Sequence, residues 1–259
     1  ALAMLLKSFD AYDGEHARDR IEELVQGGVR WLIANQREDG GWGDTDRSLS
    51  NISATMLALA AMKLAGAGEK HAAAIGRAED CIAAQGGLEG LRLRYGKDKT
   101  FVVPIMTNCA LAGMVEWEKI YPLPFELACF PHGFYRFLRL PVVSYALPAL
   151  VAIGQARHFH RPTRNPLWRL VRNLSKKKSL RRILAMQPES GGYLEAAPLT
   201  AFVTMSLVSI GQTEHPIVRS GVRFLVDSAR EDGGWPIDTN LATWLTTLSI
   251  NALDGAGEN

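Results

Sequence analysis

The stretch GVRFLVDSAREDGGWPIDTNLATWLTTLSINAL, Gly221 to Leu253, reads as a helix, a tight Gly-Gly-Trp turn and a second helix with no charged residue. In the segment His215 to Ala229, which contains its first helix, Ile217, Val218, Gly221, Val222, Phe224 and Leu225 fall on one stripe at helical spacing, with Arg219, Arg223 and Asp227 opposite. That helix has one side in water. The second half has no polar face, so it is expected to be buried all round. Near the amino terminus GVRWLIANQREDGGWGDTD, Gly28 to Asp46, says almost the same thing. A repeat of this kind decides the architecture.

Working outward, five uncharged segments share a register. They begin near Asn51, Pro104, Pro141, Pro198 and Asn240. Asn before a helix and Pro in its first turn are both favoured, because neither leaves a needed backbone donor unpaired. The opening ALAMLL matches the tail of a sixth such helix, so the chain is expected to be part of something longer. Between them lie amphipathic segments at His16 to Gln36, Glu69 to Gln85, Phe125 to Arg139, Asn165 to Gln187 and His215 to Ala229. Six inner helices alternating with an outer set predict an all-α fold, an (α/α)6 toroid of helical hairpins spanning residues 1–259. An open superhelical array is the alternative. No segment shows sustained period-two alternation between turn signals, so no strand is expected.

Nearly half of the 259 residues are apolar and the net charge is +2. The charge is unevenly spread. No acidic residue lies between Glu126 and Glu189, while Arg and Lys crowd from Arg157 to Arg182. Such a run is either the solvated face of an outer helix or a surface for an anionic partner, and an anionic membrane is the partner that it would fit. No apolar run is long enough to span a bilayer, and the opening ALAMLL, with no basic region or cleavage site, is not expected to be a signal peptide. The expected location is cytoplasmic or peripheral on the inner face of the cell membrane. Cys81, Cys109 and Cys129 stand apart in apolar surroundings and read as buried thiols.

Little of this is overtly catalytic. His158 and His160 are one residue apart in a basic segment and lack nearby carboxylates, which is a poor metal pattern. There is no phosphate loop and no Gly-x-Ser-x-Gly elbow. Asp44, Asp46 and Asp238 follow Gly-Gly-Trp turns and precede inner helices, where a carboxylate serves as cap or dipole partner. Five residues into the common register stand Tyr145, Phe202 and Trp244, against Asn108 and Thr55 in the other two helices. Aromatics on an inner wall are either core packing or the lining of a cavity, where ring faces stabilise positive charge.

The repeats GVRWLIANQREDGGWG, SLRRILAMQPESGGY and GVRFLVDSAREDGGW resemble the QW repeats of the squalene–hopene and oxidosqualene cyclases. EWEKIYPLPFEL, Glu116 to Leu127, is similar to a Trp-Glu-Lys and proline-rich stretch in those enzymes, and the resemblance runs through nearly the whole chain. It implies a class II terpene cyclase in which two toroids enclose a squalene-type polyprenyl hydrocarbon. An Asp-x-Asp-Asp motif starts a carbocation cascade there, with no metal or redox cofactor. Tyr145 and Pro198 match positions lining that cavity, and Pro104 falls close to a third; Phe202 and Trp244 join them from the register above. Asp-x-Asp-Asp does not occur here, and Asp44-Thr45-Asp46-Arg47 is the nearest segment. In the family the motif belongs to the toroid that follows. The resemblance therefore implies an amino-terminal toroid that supplies wall and no catalytic residue, partnered by a second toroid with the acid and by no nucleic acid. A non-catalytic toroid subunit, or a module for lipid binding or assembly, is the alternative; a zinc prenyltransferase would need a ligand set not found here.

Overall fold

The fold was examined in a computed structural model, which describes every residue except Asp46, Lys97, Leu138, residues 140–145, Glu258 and Asn259. The inner layer is a ring of α1 (Leu2–Leu6), α3 (Ile52–Leu64), α6 (Lys99–Leu111), α8 (Leu147–His160) and α10 (Ala197–Val208). Each touches the next, and α10 returns to α1 to close the circle. Outside lie α2 (Arg18–Ala34), α4 (Ala72–Ala84), α9 (Pro166–Leu184) and α11 (Pro216–Asp227). They pack on α1, α3, α8 and α10 respectively. The chain is thus an all-α toroid, with its inner helices buried because they have no charged face to leave in water. Leu59, Met62, Val103, Met106, Ile153 and Leu207 are all but fully buried. Side chains of this kind contribute about 1.5–3 kcal/mol each on burial.

Several boundaries differ from the sequence reading. The helix expected to start at Pro104 starts five residues earlier, capped by Asp98, whose carboxylate accepts from the Thr100 amide. Pro104 sits inside it and is buried there. The amphipathic segment from Phe125 breaks into a 3-10 turn, Phe125–Cys129, and the short α7 (His132–Phe137). A helix not foreseen, α5 (Gly87–Tyr95), leads into α6. Asn51 caps α3 as expected, accepting from the Ala54 amide at 3.0 Å. The neighbouring acids do not cap. Asp44 accepts instead from the Asn51 side chain at 3.0 Å, Asp238 lies in a bridge to Ala196, and Asp46 lies outside the described residues.

Three turns repeat one hydrogen-bond pattern. Trp42 Nε1 donates to the Leu32 carbonyl, the Tyr193 hydroxyl to that of Ile183, and Trp235 Nε1 to that of Leu225. Each acceptor lies ten residues back, at the end of the preceding outer helix. Asp39, Ser190 and Asp232 each accept from the amide of the second glycine. The first glycine has φ of +82° at Gly40, +88° at Gly191 and +89° at Gly233, a conformation that disfavours any side chain. It also lies against the backbone of the next outer helix, on the carbonyls of Arg77, Ser220 and Gly27. Gln36 and Gln187 strengthen two of these seats. Gln36 Nε2 donates to Gly40 and Ala74 carbonyls at 2.9 and 2.8 Å, Gln187 Nε2 to those of Gly191 and Ile217. At the third turn Ala229 stands in that place, and Gly27 and Gly28 on α2 let Trp235 and Gly233 come close instead.

Gly191→Ala would set a methyl group into the Ser220 carbonyl and force a left-handed alanine, which alone costs about 1–3 kcal/mol. Urea denaturation is expected to show a loss at or above the top of that range. Tyr193→Phe, which removes the hydroxyl's bond to the Ile183 carbonyl but leaves that of the Met186 amide, is expected to lose about 0.5–1.5 kcal/mol in the same assay.

Candidate functional site

The third turn frames a strongly apolar hollow. A cavity of about 370 Å³ lies between α1, α2, α3 and α10, bordered by Leu2, Gly28, Trp31, Pro198, Ala201 and Trp235. A second hollow of about 560 Å³ runs from Trp31 and Ala61 to Trp42 and Asp44. The two adjoin at Trp31, Leu32 and Ala61, and the first forms an apolar trough beside Pro198. Both volumes lie within the range of about 300–1,000 Å³ usual for ligand pockets. The wall beside Pro198 is held by backbone pairing. The Ala197 amide donates to Ile237 and the Thr239 amide to Glu195, at 3.0 and 2.8 Å. Leu194 and Glu195 reach this pairing with φ of +55° and +56°. Such left-handed non-glycine residues persist only where their surroundings hold them.

The structure brings few of the expected site residues together. Pro198 lines the trough from the first turn of α10. Phe202 is partly buried against the main core. Pro104 is buried within α6, in no described cavity wall. Trp244 is on α12 (Ala242–Ala256), is 67% exposed and meets neither Phe202 nor the trough. Tyr145 lies outside the described residues. The register that grouped these aromatics is itself corrected by hydrogen bonds. Thr55 accepts from the Trp42 amide at 3.1 Å, and Thr200 from the Tyr193 amide at 2.9 Å. Thr55 therefore corresponds to Thr200, and Phe202 falls two places further on. Asn51 precedes its helix, whereas Pro198 lies within its own, which is why the sequence alignment slipped. The aromatics that do border the trough are Trp31 and Trp235, one of them a turn residue assigned only to packing.

The basic stretch divides in two. Arg157 and Arg172 are buried. Arg157 Nε donates to the Ile120 carbonyl at 2.9 Å, and its other end to the Arg161 carbonyl. Arg172 donates twice to one oxygen of the buried Glu126, at 3.2 and 3.3 Å, and lies over the Phe125 ring. These bonds clamp the proline-rich segment between α8 and α9. Arg164, Arg169, Lys177, Lys178, Arg181 and Arg182 face solvent. Leu167, Trp168, Leu170 and Leu174 are exposed among them, Leu174 by 73%. The outer face of α9 thus leaves Trp and Leu in water between cations.

No group of three or more ligating side chains that could hold a metal occurs among the described residues, and no described helix is long and apolar enough to cross a membrane. The cysteines are free, with Cys81 and Cys109 buried and Cys129 partly so. Burial pushes the Cys109 thiol up to about 12, which removes it as a nucleophile near neutrality.

A ring of helices closed by aromatic-stapled turns is the architecture of a helical toroid. Comparison with known proteins gives it a lineage. Residues 15–153 match the squalene-hopene cyclase N-terminal domain, and the chain belongs to that family. It is also similar to enfumafungin synthase of Hormonema carpetanum, with 32% identity over 136 residues. That similarity covers 51% of this chain and 9% of the relative.

His158 is 2% exposed; its Nε2 faces Asn173 Oδ1 at 3.1 Å, and the ring packs on Phe125. Burial lowers its pKa, and those of His160 and His215, below the ordinary value. The folded state thus binds fewer protons than the unfolded one as pH drops. Stability is full above the unfolded value of about 6.5 and declines as pH falls below it. Thermal melts between pH 7.5 and 5.5 should show this decline, and His158→Gln should make it shallower.

Proposed function

We propose that this chain is a toroid of a terpene cyclase that closes rings in a squalene-type polyprenyl hydrocarbon. In this reading it forms part of the cavity wall, and a second toroid supplies the acid. The observation that carries the proposal is the apolar trough at Pro198, with Trp31 and Trp235 on its border. An apolar chain gains free energy from leaving water there. Ring faces at the border suit a substrate that becomes cationic, since cation–π attraction strengthens once water is excluded. The acid belongs elsewhere because Asp44 is tied to Asn51 and has no carboxylate partner in an Asp-x-Asp-Asp sequence. An acid strong enough to protonate an alkene needs neighbours that hold its proton in a dry site.

Squalene delivered on cyclodextrin is expected to change the emission of Trp31 and Trp235 saturably, without forming any cyclic product. Ala201→Trp fills the trough from α10 and should weaken that binding at least about tenfold, a loss of about 1.4 kcal/mol. Equal binding by this variant, or no saturable change in the parent chain, overturns the assignment of the trough.

The exposed face of α9 supports a second contact, with an anionic membrane from which the hydrocarbon would be drawn. Cations near such a surface contribute about 1 kcal/mol each. Lys177→Glu, Lys178→Glu and Arg181→Glu together should reduce cosedimentation with phosphatidylserine vesicles by about 100-fold or more, and the parent chain should lose binding as salt is raised. Trp168→Ser should weaken binding at every salt concentration, because its contribution is burial in the interface.

A further inference from the structure

The ion pair that clamps the proline-rich segment is incomplete on one side. Arg172 sends both its donors to a single oxygen, Oε1 of Glu126, at 3.2 and 3.3 Å. Fork-to-fork pairing would occupy both carboxylate oxygens. Glu126 is 8% exposed, and its Oε2 is buried with no hydrogen-bond partner. An ionised carboxylate only accepts, so what Oε2 lacks is a donor. A buried acceptor left without one is costly, and a native fold keeps few of them.

Glu126 borders a hollow of about 720 Å³ between the proline-rich segment and α9. The wall is otherwise chiefly apolar, with Leu127 and Phe130 from the first side and Trp168, Val171 and Leu174 from the second. The two sides are tied together. Besides the Glu126–Arg172 pair, Cys129 Sγ donates to the Ser175 carbonyl at 3.5 Å. The hollow shares no border residue with the trough at Pro198. Leu127 and Phe130 are each 45% exposed. Side chains of that kind change rotamer within nanoseconds, which is enough to admit a small group to the carboxylate.

We propose that this hollow binds a long-chain alcohol, whose hydroxyl donates to Glu126 Oε2 and whose hydrocarbon chain lies along Phe130, Val171 and Leu174. The ligand class follows from what the wall offers. An alkane would leave Oε2 unpaired, and an ether would bring another acceptor to it. An ionised fatty acid would do the same with added repulsion. A cation is not called for, because Arg172 already neutralises Glu126 and Lys178 adds a positive charge to the border. A neutral donor on an apolar body is what remains. The volume suits it, lying inside the range of about 300–1,000 Å³ usual for ligand pockets.

Cys129 borders the hollow and is the most accessible of the three thiols, so its labelling reports occupancy. Maleimide labelling of the whole chain, without vesicles, is expected to slow saturably with dodecanol on cyclodextrin and not with cyclodextrin alone. Dodecyl methyl ether and dodecanoate should need at least about tenfold higher concentrations, the weight of a hydrogen bond to a charged group. Glu126→Gln turns the free position from acceptor to donor, so the alcohol should lose its advantage over the ether. Val171→Trp fills the hollow, keeps both members of the ion pair, and should abolish protection by the alcohol. Ala201→Trp fills only the trough and should leave that protection intact, which separates this site from the hydrocarbon reading. The comparison of ligands on the parent chain stands even where Glu126→Gln fails to fold. The proposal is overturned if the ether or dodecanoate protects as well as the alcohol, or if no ligand protects. It is equally overturned if protection survives Val171→Trp or vanishes in Ala201→Trp.

Discussion

The fold depends on one small contact repeated three times. A turn aromatic donates a hydrogen bond to the outer helix ten residues before it, while the glycine two places ahead of it lies on the backbone of the next outer helix. The first half of this arrangement closes a hairpin, and the second half fixes the spacing between hairpins. Neither half works with a side chain on that glycine. Positive φ and contact with a helix backbone both exclude a Cβ. Because the third turn seats on α2, which follows the first inner helix, the same contact that builds each hairpin also joins the two ends of the ring.

That closure creates the candidate site. Gly27 and Gly28 on α2 allow the third turn to approach, and Trp235 and Pro198 both come to border an apolar hollow. The buried Glu126–Arg172 pair serves the opposite side of the ring, holding the proline-rich segment between α8 and α9. Removing one partner of such a pair leaves an uncompensated charge, so the contact specifies geometry more than it adds stability.

Much of this was legible in the residues. The absence of charge in the inner segments, the amphipathic outer ones and the Gly-Gly-aromatic turns were enough to reach a helical toroid and to separate its two layers. Pro198 was singled out by resemblance, and its place on the border of the trough comes from the first turn of α10. The site as a whole was not legible. Trp31 lies on an outer helix and Trp235 in a turn, positions whose ordinary use is packing. The Arg157–Arg182 run looked like one surface, yet Arg157 and Arg172 are buried on partners 37 and 46 residues away. Charge counting contains no information on such distances.

Local chemistry by itself determined which segments become helices, which face each buries and where the chain must reverse, because these follow from apolar periodicity, capping residues and glycine conformations acting over a few residues. Tertiary structure decided the register between hairpins, the closure on α2, the trough and the place of α12. Those depend on which surfaces meet across long separations. A segment with no charge announces that it needs cover; only the assembled ring shows whether a place remains for it.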